Sequence, residues 1–255
     1  DPEVVTKEYR EFVRECYQEP MQENMKKAEQ NGMWEKVLDT ITIQEVNAAI
    51  NKSKAGTAAG PSQVGIDMIK ALNDNAKKTL LQFYNECKEA RAIPDNINRA
   101  LMRLLPKSDK GLANLNLVRP IALMENITKV YEHIMITRVV NTITEHNLID
   151  MGQYGAVPMA GVAAPLRIMS EMMDDARVSG QELHIMVADL AKAFDTCEYW
   201  SQALSWRALG MPEEAIKILI NLDAGSNSPA DTHEGPGAST KVILDAGRKT
   251  AAFAH

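Results

Sequence analysis

Residues 184–196 read HIMVADLAKAFDT: an apolar run drives straight into a carboxylate, Asp189, and Phe194 and Asp195 follow. The six residues 183–188 are short for a helix and carry β-branched Ile185 and Val187, which predicts a buried strand. A buried strand requires a sheet, while most of the remaining chain has helical spacing, so the fold must accommodate both. An Asp at the carboxyl end of such a strand is fixed by the strand backbone and exposed at a cleft edge, where it can hold a metal ion. Asp189 or Asp195 could also simply cap the following helix. Phe194 weighs towards the first reading. A large ring in a turn after a strand-end carboxylate is a poor cap and a good flat surface beside a bound sugar or base.

The rest of the chain reads mainly as helices. Val5, Tyr9, Phe12, Val13 and Cys16 fall on one stripe within residues 2–30, with an interruption expected at Pro20. TITIQEVNAAI (40–50) predicts a helix capped by Thr42, with Glu45 three residues on. KSKAGTAAGPSQVG (52–65) is a basic, Gly-rich loop. Leu80, Phe83, Tyr84 and Cys87 mark the next helix. ALMRLLPK (100–107) reads as a strand ending at Pro106, and RPIAL (119–123) as its returning partner. A long helix is expected from Asn126 to about Asn147, with Ile127, Val130, Tyr131 and Ile134 inward; Leu166, Met169, Met173 and Ala176 mark another. Beyond Asp195, a helix stops at Gly210, Pro212 opens one more, and TKVIL (240–244) with KTAAF predicts a hairpin.

Charge is unevenly spread. Residues 52–138 carry 14 Lys and Arg against 8 Asp and Glu, between flanks of 6 against 11 (1–51) and 8 against 15 (139–255). A basic middle between acidic flanks fits a protein that holds phosphates in one region and metal ions in another. Three well-separated cysteines without a C-x-x-C pair point to reduced thiols and an intracellular setting, cytoplasmic or nuclear. The acidic, polar start leads us to expect no signal peptide, and no run approaches the ~20 apolar residues of a membrane span. G-x-S-x-G, H-E-x-x-H and Cys/His metal spacings are absent; GTAAGPS (56–62) lacks the ending of a phosphate loop.

VADLAKAFDT resembles motif A of reverse transcriptases of the non-LTR retrotransposon and group II intron type, an apolar strand followed by D-x-x-x-A-F-D. Three other stretches follow the family's order. KSKAGTAAGPSQVGIDMIK is similar to the fingers element with its Lys, Gly and Gly-Pro signature. LLPKSDKGLANLNLVRPIAL resembles the fingers hairpin, with PK and RPI on its arms. LIDMGQYGAVPMAGV resembles the segment that usually reads L-I-x-x-x-Q-x-G-F.

This resemblance implies an α+β fold, a helix-rich fingers plus a partial palm of a right-hand polymerase. Residues 1–51 would be a helical N-terminal extension, 52–182 the fingers, and 183–255 the partial palm. It implies that Asp189 is a metal-binding carboxylate, with the backbone carbonyl of Leu190 a second ligand for Mg²⁺ or Mn²⁺. It makes Phe194 the ring beside the nucleotide 2′ position, and Lys107 and Arg119 the triphosphate contacts. The implied partners are an RNA template, a primer strand and deoxynucleoside triphosphates, with no membrane; oligomeric state is left open.

The chain departs from the pattern at three places. Ser62 stands where the family reads Asp after Gly-Pro, and Ala156 stands where an aromatic follows Q-x-G. The family's Gly-Gln motif and paired Asp loop do not occur after motif A within these 255 residues, so a truncated piece is expected. Asp174 and Asp175 in EMMDD precede motif A and read as a solvated helix face. The alternative function is an inactive remnant that binds RNA or a partner through its basic middle. A phosphotransferase of the haloacid-dehalogenase kind would want a second acid where Ala191 stands. A viral RNA polymerase would want Asp where Phe194 stands.

Overall fold

The computed structural model describes residues 11, 22–106, 118–150, 152–155, 161–189, 197–224, 242–245 and 250–252. Asp1–Thr142 with Glu198–His255 form one compact unit, and Ile143–Cys197 another. The expected apolar stripe of residues 5–16 lies outside the described residues, but 22–30 are helical (α1).

The first unit continues with α2 (Glu35–Leu38), α3 (Ile43–Lys52), α4 (Ile66–Lys70) and α5 (Asp74–Ala90). Thr42 caps α3 through the expected capping box: its hydroxyl accepts from the Glu45 N–H, and its own N–H donates to the Glu45 carboxylate. Strand β1 (Ala100–Pro106) pairs antiparallel with β2 (Val118–Met124), in a register that sets Leu105 opposite Arg119. Helix α6 (Asn126–Glu145) follows β2 almost without a break. Beyond the second unit come α8 (Tyr199–Ala208), α9 (Glu213–Ala224) and a hairpin of β3 (Val242–Asp245) and β4 (Thr250–Ala252). Strand β3 runs parallel to β1, giving a mixed sheet of order β2-β1-β3-β4. The architecture is α+β and helix-rich.

The core of this unit is assembled around α6. Val130, Tyr131, Ile134 and Met135 are fully buried, and the Tyr131 ring stacks on Tyr84 of α5 at 5.4 Å between centroids. The Tyr84 hydroxyl donates to the Ile127 carbonyl at 2.8 Å, and the Asn85 amide donates to the Ile41 carbonyl. Elsewhere in the unit, Gly210 ends α8 with φ +76°, and a Cβ there would lie 2.6 Å from the Asn24 carbonyl oxygen of α1. Glycine thus serves both the left-handed turn and the close approach. The Trp34 indole closes the same corner by donating to the Leu209 carbonyl.

The polar centre of the unit is Arg138 on α6, 8% exposed. Its guanidinium grips Glu45 through two nitrogens at 2.6 and 2.9 Å. It also donates to the carbonyls of Val37, Asp39 and Thr40. One side chain thereby satisfies the carbonyls where α2 ends and anchors the start of α3, both against α6. Burial alone would raise the Glu45 carboxyl, but hydrogen bonds from Arg138 and Thr42 outweigh it, so its pKa lies below the ordinary 4.5.

The second unit contains α7 (Ala163–Ser179). The helix forms where the stripe predicts it, yet Leu166, Met169 and Met173 are exposed rather than buried. Asp174 and Asp175 are exposed as expected, and Asp174 pairs with Arg177. The strand expected at 183–188 is not formed. The segment forms no strand ladder with any described residue, and Met186 and Val187 are 92% and 86% exposed. The physical reason is that a strand exists only through a neighbour's backbone, and no described strand pairs with this segment. No helix among the described residues is long and apolar enough to cross a membrane.

Replacing Arg138 by Met should therefore destabilise the chain by on the order of 3 kcal/mol, since it strands a half-buried carboxylate and three carbonyls. Glu45 has a depressed pKa, so its contribution is present above pH 4.5 and is lost as pH falls through the lower folded value. Urea unfolding between pH 3 and 6 checks both: the wild type should lose stability on acidification more steeply than Arg138→Met.

Candidate nucleic-acid interface

The β1–β2 ladder sets Arg103 opposite Ile121 and Leu105 opposite Arg119. These four residues alternate along their strands and therefore share one face. All four are exposed. The face presents two guanidinium groups on adjacent strands of the sheet, a geometry suited to phosphate oxygens. Arg119 is the residue singled out by sequence. Arg103 was missed, although parity in the antiparallel pairing, 103 with 121 and 119 with 105, would have found it.

The Gly-rich loop is pinned to the point where β2 becomes α6. Glu125 lies there, 5% exposed. Its carboxylate accepts from the Ser62 N–H at 2.7 Å and from the Ser62 hydroxyl at 2.5 Å. The Asn126 amide donates to the Val64 carbonyl at 2.7 Å. Gly60 passes so close that a Cβ would sit 2.7 Å from the Glu125 nitrogen and the Met124 carbonyl. The loop is further ordered by the Gly56 N–H, which donates to Asp67, and by Gln63, whose φ of 61° is left-handed. Hairpin and loop are thus tied to α6 through adjacent residues.

The other residues read from sequence are placed differently. Lys107, Leu190 and Phe194 lie outside the described residues, as do Cys16, Asp195 and Ala156. Asp189 is exposed at the end of the irregular segment 183–189, in the second unit, while Arg119 belongs to the first. No group of three His, Cys, Asp or Glu able to hold a metal ion occurs among the described residues. A single exposed carboxylate does not make a cage for a hard divalent cation, which takes about six oxygen ligands. Cys87 is buried, and burial pushes its thiol up to about 11, so it is an inert core thiol.

No family model matches the chain. Similarity to individual proteins is clear. The Pol polyprotein of the R2 retrotransposable element of Bradysia coprophila is 26% identical over 199 residues, 78% of this chain and 22% of that protein. The corresponding R2 polyprotein of Nasonia vitripennis is 25% identical over 166 residues, 64% of this chain and 15% of that protein. The RNA-directed DNA polymerase of the mobile element jockey of Drosophila funebris is 22% identical over 205 residues, 80% of this chain and 22% of the polymerase.

The chain is related to the reverse transcriptases of non-LTR retrotransposons.

It spans 15–22% of the length of these curated relatives. The relationship gives the departure at Ser62 a physical reading. An Asp in that position would set a second carboxylate against the buried one of Glu125, and like charges at hydrogen-bond distance repel strongly in a low-dielectric site. Serine supplies a donor to Glu125 instead.

Ser62→Ala should cost about 1–3 kcal/mol by leaving a Glu125 oxygen unpartnered. Ser62→Asp and Gly60→Ala should both cost more, and should release the loop. Limited proteolysis is the readout: cleavage within 54–65 should rise in the order wild type, Ser62→Ala, then the other two.

Proposed function

We propose that these residues are a fingers and partial-palm segment of a reverse transcriptase whose parent activity is RNA-templated DNA synthesis. Supporting this are the similarity to retrotransposon polymerases and, in the fold, the exposed Arg103–Arg119 face of the hairpin. That face carries the reading: it puts two planar cations on the arm where the resemblance expects triphosphate contacts. Lys107 would add a third cation at the same end of β1. Asp189, with the Leu190 carbonyl, would give one arm of a site for Mg²⁺ or Mn²⁺. The divalent ions, when bound, would supply activation of the primer 3′ hydroxyl and neutralisation of the leaving pyrophosphate. Phe194 would lie under the sugar of the incoming deoxynucleotide.

A second reading is an inactive remnant that binds RNA or a partner through its basic middle, residues 52–138, where Lys and Arg outnumber Asp and Glu by 14 to 8. Primer extension on an RNA template separates the cases. The 255-residue chain should incorporate no nucleotide with Mg²⁺ or Mn²⁺, because one carboxylate arm cannot hold two ions in reacting geometry. An extended protein carrying the family's downstream motifs should incorporate deoxynucleotides, and Asp189→Asn should abolish that. An extended protein that stays silent identifies the remnant.

RNA binding by the chain should be weak and strongly salt-dependent, carried by residues 52–138. Each phosphate contact contributes about 0.7–0.9 to the slope of log K against log salt. Replacing Lys107 and Arg119 by Ala should lower that slope by about 1–2, and adding Arg103→Ala should lower it further. Salt titration of labelled primer–template measures this; binding indifferent to salt contradicts the fingers assignment.

In the extended protein, Phe194→Val should raise ribonucleotide use relative to deoxynucleotide use, by roughly 5- to 150-fold if the excluded hydroxyl costs about 1–3 kcal/mol. If both rates fall together with thermal stability, Phe194 is a packing residue and the gate is wrong.

A further inference from the structure

His133 of α6 is a titratable side chain that the polymerase reading leaves unused. It lines two cavities, one of about 430 Å³ beside the Gly-rich loop and one of about 110 Å³ beside α3. Ser53, Lys54 and Thr57 line the first from the loop, and Ala48, Ala49 and Lys52 line the second from α3. The imidazole therefore lies where both segments meet α6. Its Nε2 is sealed from solvent and has no hydrogen-bond partner.

A neutral imidazole tolerates this position and a protonated one does not. In the neutral ring one nitrogen carries no proton, so Nε2 can remain a bare lone pair; in the cation both nitrogens carry a proton, and each needs an acceptor. A charged N–H shut away from water and from any acceptor costs far more than an unpaired neutral nitrogen. The charges around the ring offer no relief. Lys52 and Glu45 approach it from α3, Lys54 from the loop, and Lys129 and Glu132 from its own helix. Glu45 is already engaged by Arg138 and by the α3 cap. Burial first, and Lys52 second, push the His133 pKa below its ordinary 6.5. A proton on Nε2 can find water only if α3 and residues 53–57 part from α6.

We propose that His133 is an acid-operated latch, which keeps α3 and the Gly-rich loop seated on α6 while the imidazole is neutral and releases them when Nε2 gains a proton. The latch goes beyond the polymerase reading and does not rest on it. It acts on the segment that carries Lys52 and Lys54, so acidification unseats two cations of the basic middle. A pKa depressed in the closed form means that stability is complete above pH 6.5 and is lost as pH falls below it. The contribution of Glu45 is lost only below pH 4.5, so the two responses occupy separate windows.

Two measurements on the 255-residue chain, between about pH 7.5 and pH 5, test the latch. Proton NMR follows the His133 ring resonances, assigned by their loss in His133→Gln, and should give a midpoint below 6.5. Limited proteolysis within 54–65 is compared between wild type and His133→Gln at each pH, which cancels the protease's own response. The wild-type rate should rise relative to the variant by about threefold or more as pH falls through this range. Lys52→Gln leaves the imidazole in place, so it serves where His133→Gln folds poorly. It should raise the NMR midpoint towards 6.5 and shrink the acid response of the loop. A midpoint at or above 6.5, a cleavage ratio that stays flat, or an acid response unchanged by Lys52→Gln overturns the latch.

Discussion

Arg138 donates five hydrogen bonds from a nearly buried position, two to Glu45 and three to carbonyls of residues 37, 39 and 40. Few other side chains could do this. Lysine has three donors around one point, whereas the planar fork of arginine reaches a carboxylate and a turn of backbone at once. The three carbonyls sit where a short helix ends and the next begins, so their satisfaction lets the chain turn there under cover of α6. Lys88 of α5 adds a bond to the Leu38 carbonyl beside them. The position of α3 and α5 on α6 follows from this node, and the Tyr84–Tyr131 stack fills the space it leaves.

What depends on α6 in turn is the candidate interface. Strand β2 runs into the helix through Glu125 alone, and the Gly-rich loop is bonded to that residue and to Asn126. The hairpin's arginines and the loop's lysines therefore take their positions from one rigid helix. A basic region assembled this way presents fixed cations, which lose less entropy on meeting phosphate than lysines on a mobile tail would.

Local signals carried the sequence reading well. The Thr42–Glu45 capping box, the Gly210 stop, Pro212 and the β1–β2 hairpin are set by neighbours a few residues apart, and the structure has them all. The apolar stripe of α7 correctly gave a helix, but a stripe does not say whether any surface covers it. The failure at 183–188 has the same origin: apolar, β-branched residues permit a strand, while a strand's existence depends on a partner far away in sequence. Arg138 was invisible for a related reason. Nothing in a helical repeat distinguishes an arginine at the surface from one drawn inward by a carboxylate 93 residues earlier. At the candidate interface, Arg119 was singled out through a motif, its neighbour Arg103 follows only from the strand register, and Ser62 became intelligible only beside Glu125.

The exposure of the second unit has a chemical consequence. Met169, Met172, Met173 and Met186 offer their thioethers to solvent, while Met135 and Met211 of the first unit are fully enclosed. Peroxide would reach the first group long before the second. Each sulfoxide formed adds a strong dipole to a surface that is now apolar, converting a sticky helix into a wettable one while leaving the enclosed sulfurs untouched. Oxidation would therefore mark exposed thioethers, Met68 of α4 in the first unit among them, and would be reversible by methionine sulfoxide reduction while the enclosed sulfurs stay reduced.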